Sequence, residues 1–150
     1  MAKKIIKELA CPQFLTNLKL KKNEYVCEKG HSYENYNGIP LLFHKKGKDK
    51  QLGVKKMFNE TPYGLIGAQD AYKNRKKMNM KVLHKDPWWI KEKGVKGKRM
   101  LEAGCGGGHL FTELYFNWAK VVVLDQTPNS LIAIKKLFKN ETPELVNGNI

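Results

Sequence analysis

The sequence lacks any long apolar run, has few cysteines and contains almost no arginine. No apolar stretch approaches the ~20 residues that cross a bilayer, so we expect no contact with a membrane. The first residues are basic, but Lys7 and Glu8 interrupt the apolar stretch that a secretion signal needs. Three cysteines in 150 residues do not make a disulfide framework. Together these absences predict a cytoplasmic protein.

The charge of the chain is strongly positive and is concentrated in its first two thirds. The 28 basic and 14 acidic residues give a net charge of +14, and residues 1–100 carry 24 basic and 9 acidic groups, a balance of +15. Such a charge attracts a polyanion, which makes RNA a candidate partner. All basic residues except Arg75 and Arg99 are lysine, and arginine is the better residue for bidentate phosphate contacts. A lysine-rich composition without a nucleic-acid partner is the alternative.

The patterning of the chain divides it into three segments. Residues 1–45 have the short alternating runs and turn signals of small strands, with Asn37-Gly38 as a strong turn. Residues 46–97 form a basic linker, in which 68–85 lacks helix breakers and predicts a helix. Residues 98–150 alternate strands and helices. The predicted strands of this last segment are 98–103, 120–124 and 144–146, and its predicted helices are 109–118 and 130–138.

This alternation predicts an α/β fold with a parallel, doubly wound sheet. The run Val121-Val122-Val123-Leu124 is short and entirely apolar, as expected of a parallel strand that is covered on both faces.

A glycine-rich loop lies between the first strand and the first helix of this segment. It reads Glu102-Ala103-Gly104-Cys105-Gly106-Gly107-Gly108-His109. Glycine allows a sharp turn and a close approach of a ligand, and the free amides of the next helix can meet its polar groups. No lysine follows, which excludes a phosphate loop. A dinucleotide fingerprint needs a third glycine where His109 stands.

The remaining pattern is an acidic residue followed by three alternate glycines: Glu102, Gly104, Gly106 and Gly108. This stretch resembles the cofactor loop of the class I methyltransferases that use S-adenosylmethionine. Asp125, at the end of the second strand, matches the acid that accepts the ribose hydroxyls in that family. The resemblance therefore implies S-adenosylmethionine as the cofactor, with Cys105 and Gln126 also lining the site. A helix N-cap is the other role open to Asp125, because Pro128 and a helix follow.

The end of the chain carries a weaker likeness to the same family. Val146-Asn147-Gly148-Asn149-Ile150 resembles the loop after the third strand, in which an aspartate accepts from the adenine amino group and an apolar residue packs on the ring. The resemblance assigns these roles to Asn149 and Ile150. An uncharged polar turn after a strand is the alternative.

The first segment resembles the zinc ribbon at the front of some ribosomal-RNA guanine methyltransferases. Cys11, Cys27 and His31 match three ligands of that ribbon, and Phe14 stands where the fourth, a cysteine, is expected. Structural zinc almost always takes four protein ligands. Three ligands with a water, substitution by His44, or a ribbon without metal all stay open.

These likenesses predict a cofactor-binding half of a methyltransferase, with an unassigned catalytic residue and RNA or a small molecule as acceptor. The fold implied is the first half of a Rossmann-like sheet, preceded by a zinc-ribbon-like domain. The family's sheet has seven strands and only three are expected here, so a missing C-terminal half or self-association would complete it. A non-catalytic module that binds RNA or a partner is the alternative function, and a dinucleotide-dependent oxidoreductase is a weaker one.

Overall fold

The alternating segments near the start of the chain form an antiparallel sheet in the computed structural model, which describes residues 9–42, 73, 90, 93–139 and 143–148. Four strands pair in chain order: β1 (Leu18–Lys21), β2 (Glu24–Cys27), β3 (Ser32–Tyr36) and β4 (Ile39–Pro40). The predicted turn before β4 is present, with Asn37 and Gly38 at φ of 53° and 80°. We call residues 9–42 the N-terminal sheet.

The later part of the chain forms a parallel sheet with the order β5-β6-β7. Its elements are β5 (Arg99–Ala103), α1 (His109–Phe116), β6 (Lys120–Asp125), α2 (Pro128–Phe138) and β7 (Glu144–Asn147). Pro128 begins α2, where its missing N–H costs no hydrogen bond. The described part of the chain is thus a mixed α/β structure with one antiparallel and one parallel sheet.

Strand β6 is covered on both faces, as its composition predicts. Side chains alternate across a strand, so Val121 and Val123 lie on one face and Val122 and Leu124 on the other. The first face belongs to a core cluster with both helices, in which the largest buried helical side chains are Phe111, Leu114, Leu131, Ile134 and Phe138. Val122 and Leu124 pack instead against the core of the N-terminal sheet.

The N-terminal sheet also meets the edge of the parallel sheet. Leu41 forms a parallel bridge with Asn147, the last residue of β7. Lys135 of α2 donates a hydrogen bond to the Asn37 carbonyl. The two sheets therefore share a core cluster, and the N-terminal sheet also pairs with the end of β7.

Several predictions fall on residues outside those described. The helix predicted over 68–85 and most of the linker 46–97 are among them, as are His44, Asn149 and Ile150. Among the helices of the described residues, none has the length and apolar character needed to span a membrane.

Candidate functional site

The glycine loop connects β5 to α1 at the carboxyl ends of the parallel strands. Gly104, Gly106 and Gly108 all have positive φ, at 76°, 51° and 80°, a backbone conformation that residues other than glycine rarely adopt. The Gly104 amide donates to the Leu124 carbonyl over 2.8 Å, which ties the loop to the end of β6. Positive φ thus recurs at every second residue of the loop, and a glycine stands at each of these positions.

Gly108 brings the two helices of the parallel sheet close together. It is the N-cap of α1, and as a glycine it has no side chain that could accept a capping hydrogen bond. A Cβ built on Gly108 would lie 2.8 Å from Cγ1 and Cδ1 of Ile134, on α2. The close contact at this loop is therefore between the two helices, and it lies at Gly108, one residue before His109.

Asp125 is buried, with 5% of its surface exposed, and its carboxylate is held from two sides. Oδ1 accepts hydrogen bonds from the backbone amide and the hydroxyl of Thr127, over 2.7 and 2.5 Å. Oδ2 accepts from the Gly106 amide over 2.8 Å. The bond to the amide two residues on is an Asx-type turn, and the N-cap of α2 is Thr127 rather than Asp125. Asp125 thus joins the glycine loop to the turn before α2.

Glu102 faces the same region from the end of β5 and is 8% exposed. Burial raises the pKa of Glu102 to about 8, and the negative charge of Asp125 acts in the same direction, against a hydrogen bond from the Phe111 backbone amide. Its Oε2 atom has no hydrogen-bond partner among the described residues, and the same holds for Oε1 of Gln126. Two buried acceptors of this region thus have no donor within the part of the chain that the structure describes.

Cys105 lies inside the loop and is buried. Its Sγ atom is 3.6 Å from both the Gly106 carbonyl oxygen and Oδ2 of Asp125. Burial raises the pKa of this thiol, and the neighbouring carboxyls of Asp125 and Glu102 raise it further. Cys105 is thus a neutral, buried thiol.

Asn147, at the end of β7, is a site residue that the sequence analysis missed. It pairs in register with Asp125 and is 2% exposed. Its side-chain amide donates to the Asp125 carbonyl over 2.9 Å. The parallel register, which places the ends of β6 and β7 side by side, was the available signal, whereas the family resemblance assigns the polar role to Asn149, two residues later.

Cys11, Cys27 and His31 come together in the N-terminal sheet, as predicted. Their ligand atoms all lie within 4.8 Å of one another, and Sγ of Cys11 is 3.8 Å from Nδ1 of His31. Tetrahedral zinc with bonds of about 2.3 Å to sulfur and 2.0 Å to nitrogen separates such atoms by roughly 3.6 Å. These distances suit a zinc ion.

The surroundings of Cys11 favour its thiolate, the form that binds metals. Burial by itself would raise the pKa of this thiol. Hydrogen bonds outweigh burial and lower the pKa to about 6; they come from Tyr33, the backbone amides of Gln13 and Phe14, and His31. The Tyr33 hydroxyl lies 3.2 Å from Cys11 Sγ. Tyr33 is a second residue that the sequence analysis missed.

Phe14 lies beside the cluster but has no atom that could serve as a fourth metal ligand. Its ring centroid is 5.0 Å from that of His31, and 49% of its surface is exposed. No fourth histidine, cysteine or acidic ligand joins the three within the described residues.

The structure thus gathers most of the predicted cofactor residues at the carboxyl ends of the parallel strands: Glu102, Gly104, Cys105, Gly106, Gly108, Asp125 and Gln126. The three predicted metal ligands form a separate cluster in the N-terminal sheet. No protein-family model matches this chain, and no curated protein matches it.

Proposed function

We propose that the chain carries the S-adenosylmethionine-binding part of a class I methyltransferase, built on a Rossmann-like sheet. The observation that supports this best is the loop of positive-φ glycines beside Asp125, at the adjoining carboxyl ends of β5 and β6. Ligands of open parallel sheets bind at such ends. The acidic residue before the glycines and the acid after the next strand occupy the positions that the family uses.

Asp125 would accept the ribose hydroxyls of the cofactor. A carboxylate offers about four acceptor sites; Thr127 and Gly106 use three, and the Cys105 thiol donates weakly to the fourth over 3.6 Å. One ribose hydroxyl would displace the weak thiol donor, and the second needs the Gly106 amide to move away. Because glycine at this position has a soft backbone, the loop can make this adjustment.

The two buried acceptors that have no donor among the described residues suit a ligand that carries a positively charged group. Oε2 of Glu102 and Oε1 of Gln126 can each accept from an ammonium group or from a water that it orders. A nearby positive charge also favours the ionised form of Glu102 and lowers its pKa from about 8.

Bound S-adenosylmethionine supplies an electrophilic methyl group on a sulfonium. The residues of this chain bind and orient that group, and alignment provides much of the acceleration in such a transfer. The neutral Cys105 thiol is not a nucleophile here. RNA is the acceptor class that the exposed Lys19, Lys21 and Lys22 favour, while a small molecule fits the cofactor motif equally well.

Titration calorimetry with S-adenosylhomocysteine tests this proposal. We expect one site, a loss of at least about tenfold in affinity for Asp125→Asn, and no binding of nicotinamide adenine dinucleotide. Tenfold corresponds to about 1.4 kcal/mol, below the typical 1.5–3 kcal/mol of a hydrogen bond to a charged group. If the chain binds only the dinucleotide, the oxidoreductase hypothesis replaces the methyltransferase hypothesis. If it binds neither ligand, the hypothesis of a non-catalytic binding module is the one that stands.

The same proposal includes a zinc ion held by Cys11, Cys27 and His31. The cluster fits the ion in ligand type and spacing, and the Tyr33 hydroxyl and two backbone amides stabilise the thiolate of Cys11. Zinc would tie residues 11 to 31 together and so strengthen the N-terminal sheet.

Metal titration distinguishes a zinc-binding cluster from a ribbon-like sheet that binds no metal. We expect one Zn²⁺ per chain, bound by the wild type and by Cys105→Ser but not by Cys27→Ser. The first of these variants keeps the cluster and controls for thiol number. Equal metal content in both variants would contradict the site.

A second candidate function is an RNA-binding module without catalysis. The exposed lysines on β1 and the adjacent turn, with the half-exposed ring of Phe14, favour it. RNA affinity that falls steeply with salt, in a chain that binds no S-adenosylhomocysteine, would select this function.

A further inference from the structure

The two residues after β4 connect the N-terminal sheet to the end of β7. The Leu41 amide donates to the Glu34 carbonyl of β3 over 2.9 Å, so this segment still belongs to the N-terminal sheet. The next amide, of Leu42, donates to the Asn147 carbonyl over 2.7 Å. Leu41 and Leu42 therefore act as a short strap across the two sheets.

Asn147 carries this connection on to Asp125. While its backbone carbonyl accepts from Leu42, its side-chain amide donates to the Asp125 carbonyl over 2.9 Å. The Gly148 amide donates to the same carbonyl over 3.0 Å. Two donors thus fix the last peptide of β6, just where the regular parallel ladder stops.

The packing around the strap supports the same path. Leu42 packs against the core cluster of the N-terminal sheet, to which Val146 belongs and against which Leu124 packs. A Cβ on Gly148 would lie 3.1 Å from Cδ1 of Leu124 and 3.9 Å from Cβ of Leu42. The strap, the end of β7 and the end of β6 are therefore in contact, with little space between them.

We propose that Asn147 is a positioning residue of the nucleoside site, and that the strap from the N-terminal sheet holds it in place. This inference rests on the proposed function, in which Asp125 accepts the ribose. Fixing the Asp125 peptide fixes the direction of its carboxylate, which accepts from the Gly106 amide in this structure and would accept from the ribose of a bound cofactor. The N-terminal sheet then contributes to cofactor binding without touching the cofactor.

Two variants remove single donors from this path. Asn147→Asp keeps the shape of the side chain but presents oxygen to the Asp125 carbonyl in place of a donor. Leu42→Pro removes the N–H that the Asn147 carbonyl accepts and keeps an apolar side chain. Leu42→Ala is the matched control, because it keeps the N–H while losing packing.

The readout is the ratio of the dissociation constants of S-adenosylhomocysteine and its 2′-deoxy analogue. We expect the wild type to prefer the ribose form by about tenfold, the value of one good hydrogen bond to a charged group. Asn147→Asp and Leu42→Pro should bring the ratio close to one. Leu42→Ala should keep the wild-type ratio even where its melting temperature falls. A wild-type ratio in folded Asn147→Asp would overturn the proposal.

Amide hydrogen exchange without ligand separates this inference from the proposed function. The Gly106 and Thr127 amides donate to the Asp125 carboxylate, so we expect them to exchange about tenfold faster in both donor variants, relative to the Tyr25 amide of β2, which reports any global loss of stability. If the wild type binds neither ligand, the proposed function fails and the exchange rates still decide the positioning role. Unchanged rates at Gly106 and Thr127 would overturn that role, and Leu42→Pro decides it if Asn147→Asp does not fold.

Discussion

At the scale of single residues, the carboxyls of Glu102 and Asp125 are buried in two different ways. Asp125 accepts three hydrogen bonds from Gly106 and Thr127. Glu102 accepts from the Phe111 amide and keeps one oxygen without a partner among the described residues. A buried charge without partners is costly, so Glu102 retains its proton to a higher pH than an exposed glutamate does.

This difference predicts how stability changes with pH. The pKa of Glu102 is about 8 in the folded protein against the usual 4.5, so between these values the folded state holds a proton that the unfolded state has lost. The contribution of Glu102 to the free energy of unfolding should therefore fall by up to about 1.4 kcal/mol per pH unit across that window. Glu102→Gln has no such proton and should lack this decline. Urea unfolding of both proteins at several pH values measures it, and parallel profiles would contradict it.

At the scale of elements, the position of α1 depends on one glycine. Gly108 and Gly30 have nearly the same φ, at 80° and 83°, but a Cβ on Gly108 meets Ile134 at 2.8 Å and a Cβ on Gly30 meets nothing within 4 Å. The two positions thus share the backbone conformation and differ in space.

Alanine substitution at these two glycines should separate the two effects. Gly30→Ala should lower the free energy of unfolding by about 1 kcal/mol, through backbone strain alone. Gly108→Ala should cost a further 1–3 kcal/mol or so, because the buried Ile134 side chain or the helix that carries it must shift. Chemical denaturation of both variants provides the comparison. Equal losses would show that α1 does not depend on this contact.

The elements themselves were predictable where the pattern is local. Strand β6 and helix α2 were predicted within two residues of their observed ends, because β-branched residues and an apolar helical face are local signals. Strand β3 was not predicted, since Ser32–Tyr36 contains no aliphatic residue. The roles of Asn147 and Tyr33 depend on partners about twenty residues away in the chain, and no local pattern shows such contacts.

At the scale of the whole molecule, the N-terminal sheet and the parallel sheet share one core. Val146 of β7 lies in the cluster formed by Cys11, Tyr25 and Tyr33, and Val122 and Leu124 pack on it. The apolar composition of β6 predicted that both faces are covered. It could not identify the second cover, which is the N-terminal sheet, because that packing joins residues about one hundred positions apart.

A shared core predicts that the two sheets unfold together. Val146→Ala removes two buried methyl groups and should lower the free energy of unfolding by about 1–3 kcal/mol. Hydrogen exchange should report the same loss at amides of β2 and of β6. A loss confined to β6 would mean that the sheets unfold independently.

The most direct test of the proposed cofactor site is thermal unfolding of the chain with and without S-adenosylhomocysteine. At one hundred times its dissociation constant the ligand should add about 2.7 kcal/mol of stability to the wild type. Asp125→Ala should show little or no such gain, whereas Cys27→Ser, a change in the separate metal cluster, should keep it even where it lowers the melting temperature of the free chain. A cooperatively unfolding wild type without any shift, or an equal shift in Asp125→Ala, would contradict the account.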